Sequence, residues 1–406
     1  MDRFDPEEAL VTVRREFGEH GGVTPSISRS STFTVMDPAT MPRIFEGVRG
    51  PEMGGCFLYS RQYNPTVAVL GRYLAAMEGT EAATATASGM SAIACTLMQL
   101  CGSGDHIVSS HTIYGGTHAL LADLLPQSGI RTTFVDPSKP DAFERAVQPN
   151  TRVIYVESLA NPTLKTADIP ALAAIAKHHG LTLVVDNTFS PMVISPAVLG
   201  ADIVVYSLTK FVNGASDLLA GAICAPKPFI QKLMDLHMGR LMLLGPTMDP
   251  RCAFDVIQRL PHLALRMREH GRRGTAMAER LQSLGVPVIY PGLPGYPQRE
   301  LLDRIRNPGY GCGGILALDC GTRAIADRLL DILQNRERFG LIAVSLGYYD
   351  TLMTCSGSST SSEISPDEQK EIGLSPGLLR ISAGLTGPIE MRLEQLERAV
   401  RKAGLV

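Results

Sequence analysis

Short apolar runs that alternate with helical stretches constrain the fold of this chain more than any other feature of its sequence. Each run is rich in β-branched residues and bounded by Gly or Asp, which is typical of buried strands in a mostly parallel sheet. Of the stretches between them, residues 168–180 give the clearest helix signal, with Asp168 suited to cap the first turn and Gly180 to end the helix. We therefore predict an α/β fold with helices on both faces of the sheet. The predicted strands are His106–Ser109, Thr132–Val135, Arg152–Val156, Leu181–Val185, Asp202–Tyr206 and Gly221–Cys224.

The segments on either side of this alternation have a different composition. Residues 1–63 are rich in Gly, Pro, Ser and Thr, and they are expected to form an extended arm that another surface must order. A strong helix signal follows, capped by Asn64 and ended by Gly79. We predict an arm over residues 1–63, a large domain over 64–260 and a smaller α/β domain over 261–406. In this last domain the pattern predicts helices over Arg259–Leu284, near Ala324–Leu333 and from Pro388, and strands over Pro287–Tyr290, Gly314–Leu318 and Ile342–Leu346.

Charge, hydropathy and cysteine spacing narrow the functional classes. The formal net charge of -2 leaves no basic surface of the kind that nucleic acid requires, so nucleic acid is not an expected partner. No apolar run is long enough to span a bilayer, and the acidic first residues do not resemble a signal peptide. The eight cysteines occur singly, which favours neither a disulfide framework nor a metal site. We expect a cytoplasmic protein without a membrane anchor.

Polar residues recur directly after the predicted strands. In open α/β sheets, ligands bind beyond the carboxyl ends of the strands, so these residues are expected to meet at one edge of the sheet. They are Tyr114, Glu157, Asn161, Asp186, Ser207, Thr209 and Lys210, together with Ser88, Gly89 and Met90 at the start of a predicted helix.

The types of these residues suit an anionic aromatic aldehyde. Ser88 and Gly89 would present backbone N–H groups and a hydroxyl at a helix N-terminus, where a phosphate is stabilised, although a simple serine cap gives the same pattern. Asp186 could pair with a protonated pyridine nitrogen, or could only cap a turn. Lys210, directly after a buried strand, could be desolvated and form an imine, whereas most lysines lie at the surface.

Two further residues would serve an amino-acid substrate. Tyr114 could stack on an aromatic ring and transfer a proton, although a core tyrosine is the commoner case. Arg380 lies among apolar residues, where its planar guanidinium suits a carboxylate, and where a structural ion pair is the alternative. It is the combination of these residues that indicates a site.

At these residues the sequence resembles the Cys/Met-metabolism enzymes that depend on pyridoxal 5'-phosphate (PLP), the family of cystathionine γ-synthase, the cystathionine lyases and methionine γ-lyase. The resemblance covers nearly the whole chain and holds in the order and spacing of its motifs. The motifs are Tyr59–Arg61, Asn64–Thr66, Ala87–Ser91, Tyr114–Thr117, Glu157, Asn161–Leu164, Val185–Phe189, Ser207–Lys210, Asn213–Gly214, Ser216–Asp217, Ala343–Gly347 and Arg380–Ser382.

The resemblance implies a PLP-dependent aminotransferase-like (type I) fold in a homotetramer of two tight dimers. It implies that Lys210 holds PLP as a Schiff base and later moves protons, and that Asp186 binds the pyridinium nitrogen. Tyr114 would stack on the ring, and Ser345 and Arg380 would hold the substrate carboxylate. The implied cofactor residues are Ser88, Gly89, Met90, Tyr114, Glu157, Asn161, Asp186, Ser207, Thr209 and Lys210, with Tyr59 and Arg61 reaching the phosphate from the neighbouring subunit; Tyr59 is also an implied substrate residue.

Within the family, three segments look like the plant-type methionine γ-lyases: Leu243–Met248, Tyr348–Tyr349 and Cys355–Glu363. The chain also departs from the family pattern. Gly116 stands where many microbial methionine γ-lyases carry a cysteine, and Tyr206 and Ala215 each replace a usual histidine. Cys355 could stand in for the missing thiol, but a buried, inert cysteine is the commoner case.

The resemblance implies α,γ-elimination from a sulfur amino acid, with L-methionine as the first candidate substrate. Lys210 would remove the α-proton, and Tyr114 would protonate the leaving group. One alternative is γ-elimination from cystathionine, homocysteine, an O-acyl homoserine or canavanine, for whose cationic side chain Glu363 is a conceivable partner. Another is γ-replacement, as in the synthases and sulfhydrylases. A non-catalytic PLP-binding protein is the last.

Overall fold

The computed structural model describes residues 4–13, 17–46, 49–51, 56–356 and 374–406. Its α-helices are α1 Pro6–Val13, α2 Thr40–Phe45, α3 Pro65–Glu78, α4 Gly89–Leu100, α5 Gly115–Ala119, α6 Pro140–Ala146, α7 Ile169–His179, α8 Lys227–Leu233, α9 Arg240–Leu244, α10 Pro250–Arg259, α11 Leu263–Ser283, α12 Arg299–Ile305, α13 Arg323–Asp331 and α14 Ile389–Ala403. Its strands are β1 Ala82–Thr86, β2 His106–Ser110, β3 Arg131–Val135, β4 Thr151–Glu157, β5 Thr182–Asp186, β6 Ile203–Ser207, β7 Gly221–Ala225, β8 Val288–Ile289, β9 Ile315–Asp319, β10 Leu341–Ile342, β11 Leu352–Cys355 and β12 Leu378–Ser382. Within these ranges no helix is both long and apolar enough to cross a membrane.

The large sheet has the strand order β1-β7-β6-β5-β4-β2-β3. The neighbours from β6 to β3 pair in parallel, whereas β7 runs antiparallel to both β6 and β1. This confirms the predicted α/β fold with a mostly parallel sheet. All six predicted strands are present, and β1 is an addition, which the sequence hid because Ala82–Thr86 contains only alanine and threonine.

The caps predicted from the sequence form as expected. The Asn64 side chain accepts hydrogen bonds from the N–H groups of Thr66 and Val67, and the Asp168 side chain accepts one from Ala171. Gly79 and Gly180 end α3 and α7 in the left-handed conformation that glycine adopts without a steric penalty.

The two faces of the large sheet pack into two separate apolar clusters. On the front face, Tyr155, Val184 and Val205 pack with side chains of α4. On the back face, Val156 and Val185 pack with side chains of α3, α7, α10 and α11. Successive residues of a strand point to opposite faces, so each strand end supplies one residue to the front and one to the back.

The second sheet has the order β10-β11-β12-β9-β8, and its pairs are antiparallel except β10 with β11. The strands expected at Pro287–Tyr290 and Gly314–Leu318 and the helices near Ala324–Leu333 and after Pro388 are present. Strands β11 and β12 were not predicted, because buried polar residues such as Arg380 interrupt the apolar pattern of β12. The domain boundaries at residues 63 and 260 stay a prediction.

Two predictions for this part of the chain were wrong. The helix expected over Arg259–Leu284 is present but begins only at Leu263, after a 3₁₀ turn at Leu260–His262 that separates it from α10, because Pro261 lacks the N–H that a continuous helix needs. The strand expected over Ile342–Leu346 covers only Leu341–Ile342, after which the chain leaves the sheet and enters the site described below.

Candidate active site

A cavity of about 210 Å³ lies at the carboxyl ends of β4, β5 and β6, beside the start of α4. This is the edge at which the sequence predicted a ligand. The structure brings together there Ser88, Gly89, Met90, Tyr114, Glu157, Asn161, Asp186, Ser207, Thr209, Lys210 and Arg380.

Lys210 follows β6, and its amine points toward the second sheet. Its Nζ donates to the hydroxyl of Ser345 at 3.0 Å. Burial, and secondly the positive charge of Arg380, lower the pKa of Lys210 to about 8. Both effects disfavour the charged amine, so the neutral, nucleophilic form is accessible near neutral pH. The expectation of a desolvated lysine is thus met by the geometry.

A glycine allows another loop to pack closely against the backbone of this lysine. Gly347 has φ of +75°, and a Cβ placed on it would lie 2.4 Å from the nitrogen of Phe211. The loop that carries Ser345 can therefore press against the Lys210–Phe211 peptide only because residue 347 has no side chain.

Asp186 ends β5 and is buried beside the cavity. Its carboxylate accepts from the N–H of Thr188 at 2.9 Å and from the hydroxyl of Tyr155 at 3.4 Å. Burial raises its pKa. Among the residues that the structure describes, Asp186 has no cationic side chain within ion-pair distance. A buried carboxylate that faces a cavity without such a partner fits a cationic ligand group, and the protonated ring nitrogen of PLP is one.

Glu157 lies opposite Asp186 in the parallel register of β4 and β5. Its two carboxylate oxygens accept from the backbone N–H groups of Tyr114 at 2.7 Å and Asn161 at 2.8 Å. Burial first, and the charge of Asp186 second, raise the pKa of Glu157. Glu157 therefore holds the backbone of two other site residues in place.

The start of α4 and the end of β6 form another wall of the cavity. The Ser88 side chain caps α4 by accepting from the N–H of Ser91 at 3.1 Å, so the simple cap reading of Ser88 is correct as far as its hydroxyl is concerned. The N–H groups of the first turn still lack intrahelical acceptors and face the side where an anion is favoured. A Cβ on Gly89 would lie 2.6 Å from Cβ of Ser207, so only glycine lets the helix approach Ser207 so closely. Such a cradle fits a phosphate.

Thr209 lies in the same part of the cavity, with its hydroxyl already engaged. Its Oγ1 accepts from the N–H of Ala220 at 2.9 Å and lies 3.2 Å from the carbonyl oxygen of the same residue. A phosphate contact would therefore share this hydroxyl with the backbone.

Arg380 of β12 enters the cavity from the second sheet and is only 2% exposed. It donates to Oδ1 of Asn161 and to the carbonyl oxygen of Ser345, both at 3.1 Å. Burial lowers its pKa to about 10, and the negative charge of Glu157 opposes this shift. Within the described part of the chain, no carboxylate forms an ion pair with Arg380. The structural ion pair is therefore not found, and the guanidinium is suited to bind a ligand carboxylate.

Tyr114 precedes α5, and its side chain is 43% exposed at the mouth of the cavity. A Cβ on Gly116 would lie 2.6 Å from Cε1 of the Tyr114 ring. The ring thus occupies the space that any side chain at position 116 would need, which links the absence of a cysteine there to the position of the tyrosine.

Reasoning from strand ends missed several residues in the cavity or next to it. Thr188 follows Asp186 within the motif Val185–Phe189 and could have been found from it; its Oγ1 accepts from the N–H of Ser207 at 2.8 Å. Tyr155 could have been found from strand alternation, since it lies two residues before Glu157. The apolar lining was missed too. Phe189, Val344 and Leu346 lie within the quoted family motifs, whereas Ile93 of α4 and the loop residues Leu159 and Leu219 had no signal that marked them as cavity residues.

Tyr59 and Arg61 do not join this cavity within one chain. Tyr59 is 46% exposed, and Arg61 lines a separate cavity of about 430 Å³. There, Arg61 donates to the carbonyl oxygen of Met242 at 3.2 Å. The part of the plant-type segment over residues 357–363, including Glu363, lies outside the described residues. Cys355 is buried in β11, and its Sγ lies 3.5 Å from the carbonyl oxygen of Pro376.

In this α/β fold a desolvated lysine follows β6, a buried aspartate ends the neighbouring strand β5, and the start of α4 forms a phosphate cradle. This combination defines a PLP-dependent enzyme. The chain belongs to the Cys/Met metabolism PLP-dependent enzyme family, whose profile matches residues 8–399. It is 53% identical over 397 residues to methionine gamma-lyase of Arabidopsis thaliana, an alignment that covers 97% of this chain and 90% of that protein.

Other relatives carry different activities. The chain is 35% identical to an O-succinylhomoserine sulfhydrylase of Pseudomonas aeruginosa, over 91% of this chain and 88% of that protein. Among solved structures, a Campylobacter jejuni protein assigned as an O-acetylhomoserine (thiol)-lyase, which carries a pyridoxyl-lysine phosphate, matches with a TM-score of 0.88 and 27% identity, over 98% of this chain and 100% of that chain. The expected family, fold, cofactor and enzyme class, a PLP-dependent lyase, are confirmed by these comparisons.

Proposed function

We propose that this enzyme catalyses the α,γ-elimination of L-methionine, in which methionine and water yield methanethiol, 2-oxobutanoate and ammonia. The observation that carries the proposal is the connection between Lys210 and Arg380 through one residue. Ser345 accepts from Lys210 Nζ with its hydroxyl and from Arg380 with its carbonyl oxygen. A base and a carboxylate anchor are thus fixed relative to each other, as chemistry at the α-carbon of an amino acid requires.

Each charged residue has one task in this proposal. PLP, when bound, supplies an electron sink for the negative charge that develops at the α-carbon of the substrate. Asp186 would keep the ring nitrogen protonated, and the start of α4 with Ser207 and Thr209 would bind the phosphate. Lys210 would be the amine that bonds the cofactor.

The remaining steps belong to residues around the substrate. Arg380 would bind the α-carboxylate, which holds the α-proton within reach of Lys210. Lys210, once released, would remove that proton and a second one from Cβ. Tyr114 would protonate the leaving thiolate, and its exposed position at the cavity mouth suits a group that acts on the far end of the substrate.

The choice of methionine is supported by the Arabidopsis relative and by the apolar wall of the cavity. Leu219 and Val344 are each 69% exposed, although both line the cavity, so a thioether methyl that packs on them would bury apolar surface. The related γ-elimination from cystathionine or homocysteine uses the same residues and differs only in the group that leaves.

The specific observation that favours a second function, γ-replacement, is the similarity to the sulfhydrylase and thiol-lyase relatives. In that reaction a thiol or sulfide adds at the γ-carbon after the leaving group departs, and water plays no part.

The proposal extends to assembly and location. Tyr59 and Arg61 would complete the phosphate site of a neighbouring subunit in a homotetramer built of two such dimers. The exposure of Tyr59 and the distance of Arg61 from the cavity of its own chain support this. We also propose a cytoplasmic location, because unpaired cysteines are typical of proteins in a reducing compartment.

A substrate panel tests the function. Purified enzyme with PLP is incubated with L-methionine, cystathionine, homocysteine and O-acetylhomoserine, with and without sulfide, and thiol and 2-oxobutanoate are measured. We expect equimolar methanethiol and 2-oxobutanoate from methionine, and neither from Lys210→Ala. Absence of both products with methionine, together with a sulfide adduct from O-acetylhomoserine, would favour γ-replacement.

A further inference from the structure

A chain of buried polar side chains lies directly behind the cavity, on the back face of the large sheet. It consists of Glu78 at the end of α3, Ser158, Asn187, Ser190 and Tyr206, and we refer to it as the back-face network. Tyr206 donates to Oε2 of Glu78, and Asn187 donates to the hydroxyl of Tyr206 at 2.8 Å. The hydroxyls of Ser158 and Ser190 each lie 2.8 Å from Oδ1 of Asn187.

Three members of the network are chain neighbours of cavity residues. Ser158 follows Glu157, Asn187 follows Asp186, and Tyr206 precedes Ser207. Because side chains alternate between the faces of a strand, each of β4, β5 and β6 ends with one residue in the cavity and one in the network. The network therefore ties together the backs of the three strand ends that form the site.

The hydrogen bonds of the network leave little freedom. Asn187 uses its amide N–H groups for the Tyr206 hydroxyl and, at 2.8 Å, for the carbonyl oxygen of Ile194. The single proton of Tyr206 goes to Glu78, whose other oxygen accepts from the N–H of Ala197 at 3.1 Å. The two amide protons of Asn187 and the hydroxyl proton of Tyr206 each have one acceptor, so a shift of one strand end would leave a buried group without its partner.

Burial of these polar side chains costs free energy. Glu78, Asn187 and Tyr206 are all at most 1% exposed, and Tyr206 packs within the apolar back-face cluster. Burial raises the pKa of Glu78 to about 8. Near neutral pH this carboxyl is therefore mostly uncharged. Replacing both partners of a buried hydrogen bond by apolar groups of the same shape is commonly neutral or even stabilising, so stability alone gives no reason for this network.

Backbone pairing between β5 and β6 ends where the network begins. The register runs to Asp186 opposite Val205, followed by a hydrogen bond at 3.0 Å from the N–H of Asn187 to the carbonyl oxygen of Val205. The next backbone donor, the N–H of Ser207, turns to the side chain of Thr188. Beyond this point, the hydrogen bond between Asn187 and Tyr206 joins the two strand ends.

We propose that the back-face network positions Asp186: the Asn187–Tyr206 hydrogen bond, anchored on Glu78, sets where the Asp186 carboxylate lies in the cavity that would hold the cofactor. The proposal rests on the role of Asp186 given under Proposed function. Glu78 and Tyr206 touch neither cofactor nor substrate, and they act only through the ends of β5 and β6.

A double-mutant cycle on PLP affinity tests this proposal. Holoenzyme is dialysed to equilibrium against falling PLP concentrations, and bound PLP is read from its absorbance. The proteins are wild type, Tyr206→Phe, Asp186→Asn and the double variant. Tyr206→Phe is expected to weaken PLP binding roughly 10-fold, the size typical for loss of a hydrogen-bond partner behind a ligand-binding residue. In the Asp186→Asn background it should change PLP binding by less than about 2-fold, because the bond it positions is gone.

Val204→Ala is the matched control, since Val204 lies on the same strand and back-face cluster but outside the network. It should lower the melting temperature because it leaves a cavity in the core, and it should leave PLP affinity within about 2-fold of wild type because it removes no hydrogen bond of the network. Glu78→Gln should repeat the Asp186-dependent effect of Tyr206→Phe in milder form, and it serves if Tyr206→Phe does not fold.

Two results would overturn the proposal while leaving the function intact: an equal loss of affinity from Tyr206→Phe in both backgrounds, or an equal loss from Val204→Ala. If Asp186→Asn itself leaves PLP affinity unchanged, the role of Asp186 under Proposed function fails, and the positioning proposal fails with it.

Discussion

The cavity residues and the arm residues of this chain differ in how completely one subunit defines them. Asp186, Lys210 and Arg380 come from two sheets, yet they are buried in one cavity of a single chain. Tyr59 and Arg61 belong to the same resemblance, but lie outside that cavity and partly exposed. The difference indicates that residues after strands are positioned by the fold itself, whereas the arm residues need a second copy of the chain.

The largest expected effect is on activity in a subunit-complementation experiment, in which two defective variants are combined in one dimer. Lys210→Ala is expected to lower kcat/KM by at least about 100-fold, the size that loss of a positioned acid–base group typically has. Arg61→Ala is expected to lower it roughly 10- to 100-fold, the size of a lost hydrogen bond to a charged phosphate. If Arg61 serves the neighbouring site, a mixed dimer of the two variants contains one intact site, because a two-fold axis pairs each arm with the other cavity. Co-expression with two affinity tags should therefore recover about half the wild-type activity per mixed dimer.

The matched control combines Lys210→Ala with Arg380→Ala, two residues of the same cavity. Here both sites of the mixed dimer remain defective, so no recovery is expected. Recovery in this control, or none in the Lys210 and Arg61 pair, would remove the distinction between the two regions. Arg328→Ala, an exposed change on α13, should be neutral alone.

A smaller effect is expected from Arg380→Lys. A lysine keeps the positive charge but loses the planar pair of donors, and a hydrogen bond to a charged group contributes about 1.5–3 kcal/mol. We expect KM for methionine to rise roughly 10- to 100-fold with PLP affinity unchanged, as measured by initial rates and cofactor absorbance. Loss of PLP together with substrate affinity would show that Arg380 supports the cofactor site instead.

The smallest effect concerns the pH at which PLP enters the site. Burial and Arg380 lower the pKa of Lys210 to about 8, so the neutral amine forms as the pH rises through that value and not through the ordinary range of lysine. The rate of PLP uptake by apoenzyme should therefore increase with pH and level off above about 8. In Arg380→Gln one cause of the lowered pKa is removed, and the inflection should move upward; no movement would mean that burial alone sets it.

The sequence predicted the large sheet well, because its buried parallel strands read as apolar runs between capped helices. It also predicted the cavity residues, since strand ends of a parallel sheet meet at one edge. It failed where polar residues serve a site inside a strand: β12 was missed because Arg380 and Ser382 interrupt its apolar pattern. The strand at Ile342–Leu346 was predicted too long because its residues continue an apolar run although the chain leaves the sheet after Ile342.

The contacts of the back-face network had no sequence signal. Glu78 and Tyr206 are 128 residues apart in the chain, and neither periodicity nor spacing reports a contact between a helix end and a distant strand. Departure from the family pattern at Tyr206 marked the position without explaining it. The tertiary structure gives the partner, and with it a reason for a tyrosine there.

The central claim is that Lys210 is the residue that carries the cofactor, and one measurement tests it directly. Holoenzyme is reduced with borohydride, which fixes PLP to the amine that holds it, and peptides are analysed by mass spectrometry. We expect a single phosphopyridoxyl group, on the peptide that contains Lys210. The group on any other lysine, or no covalent group in a protein that shows the PLP absorbance, would contradict it.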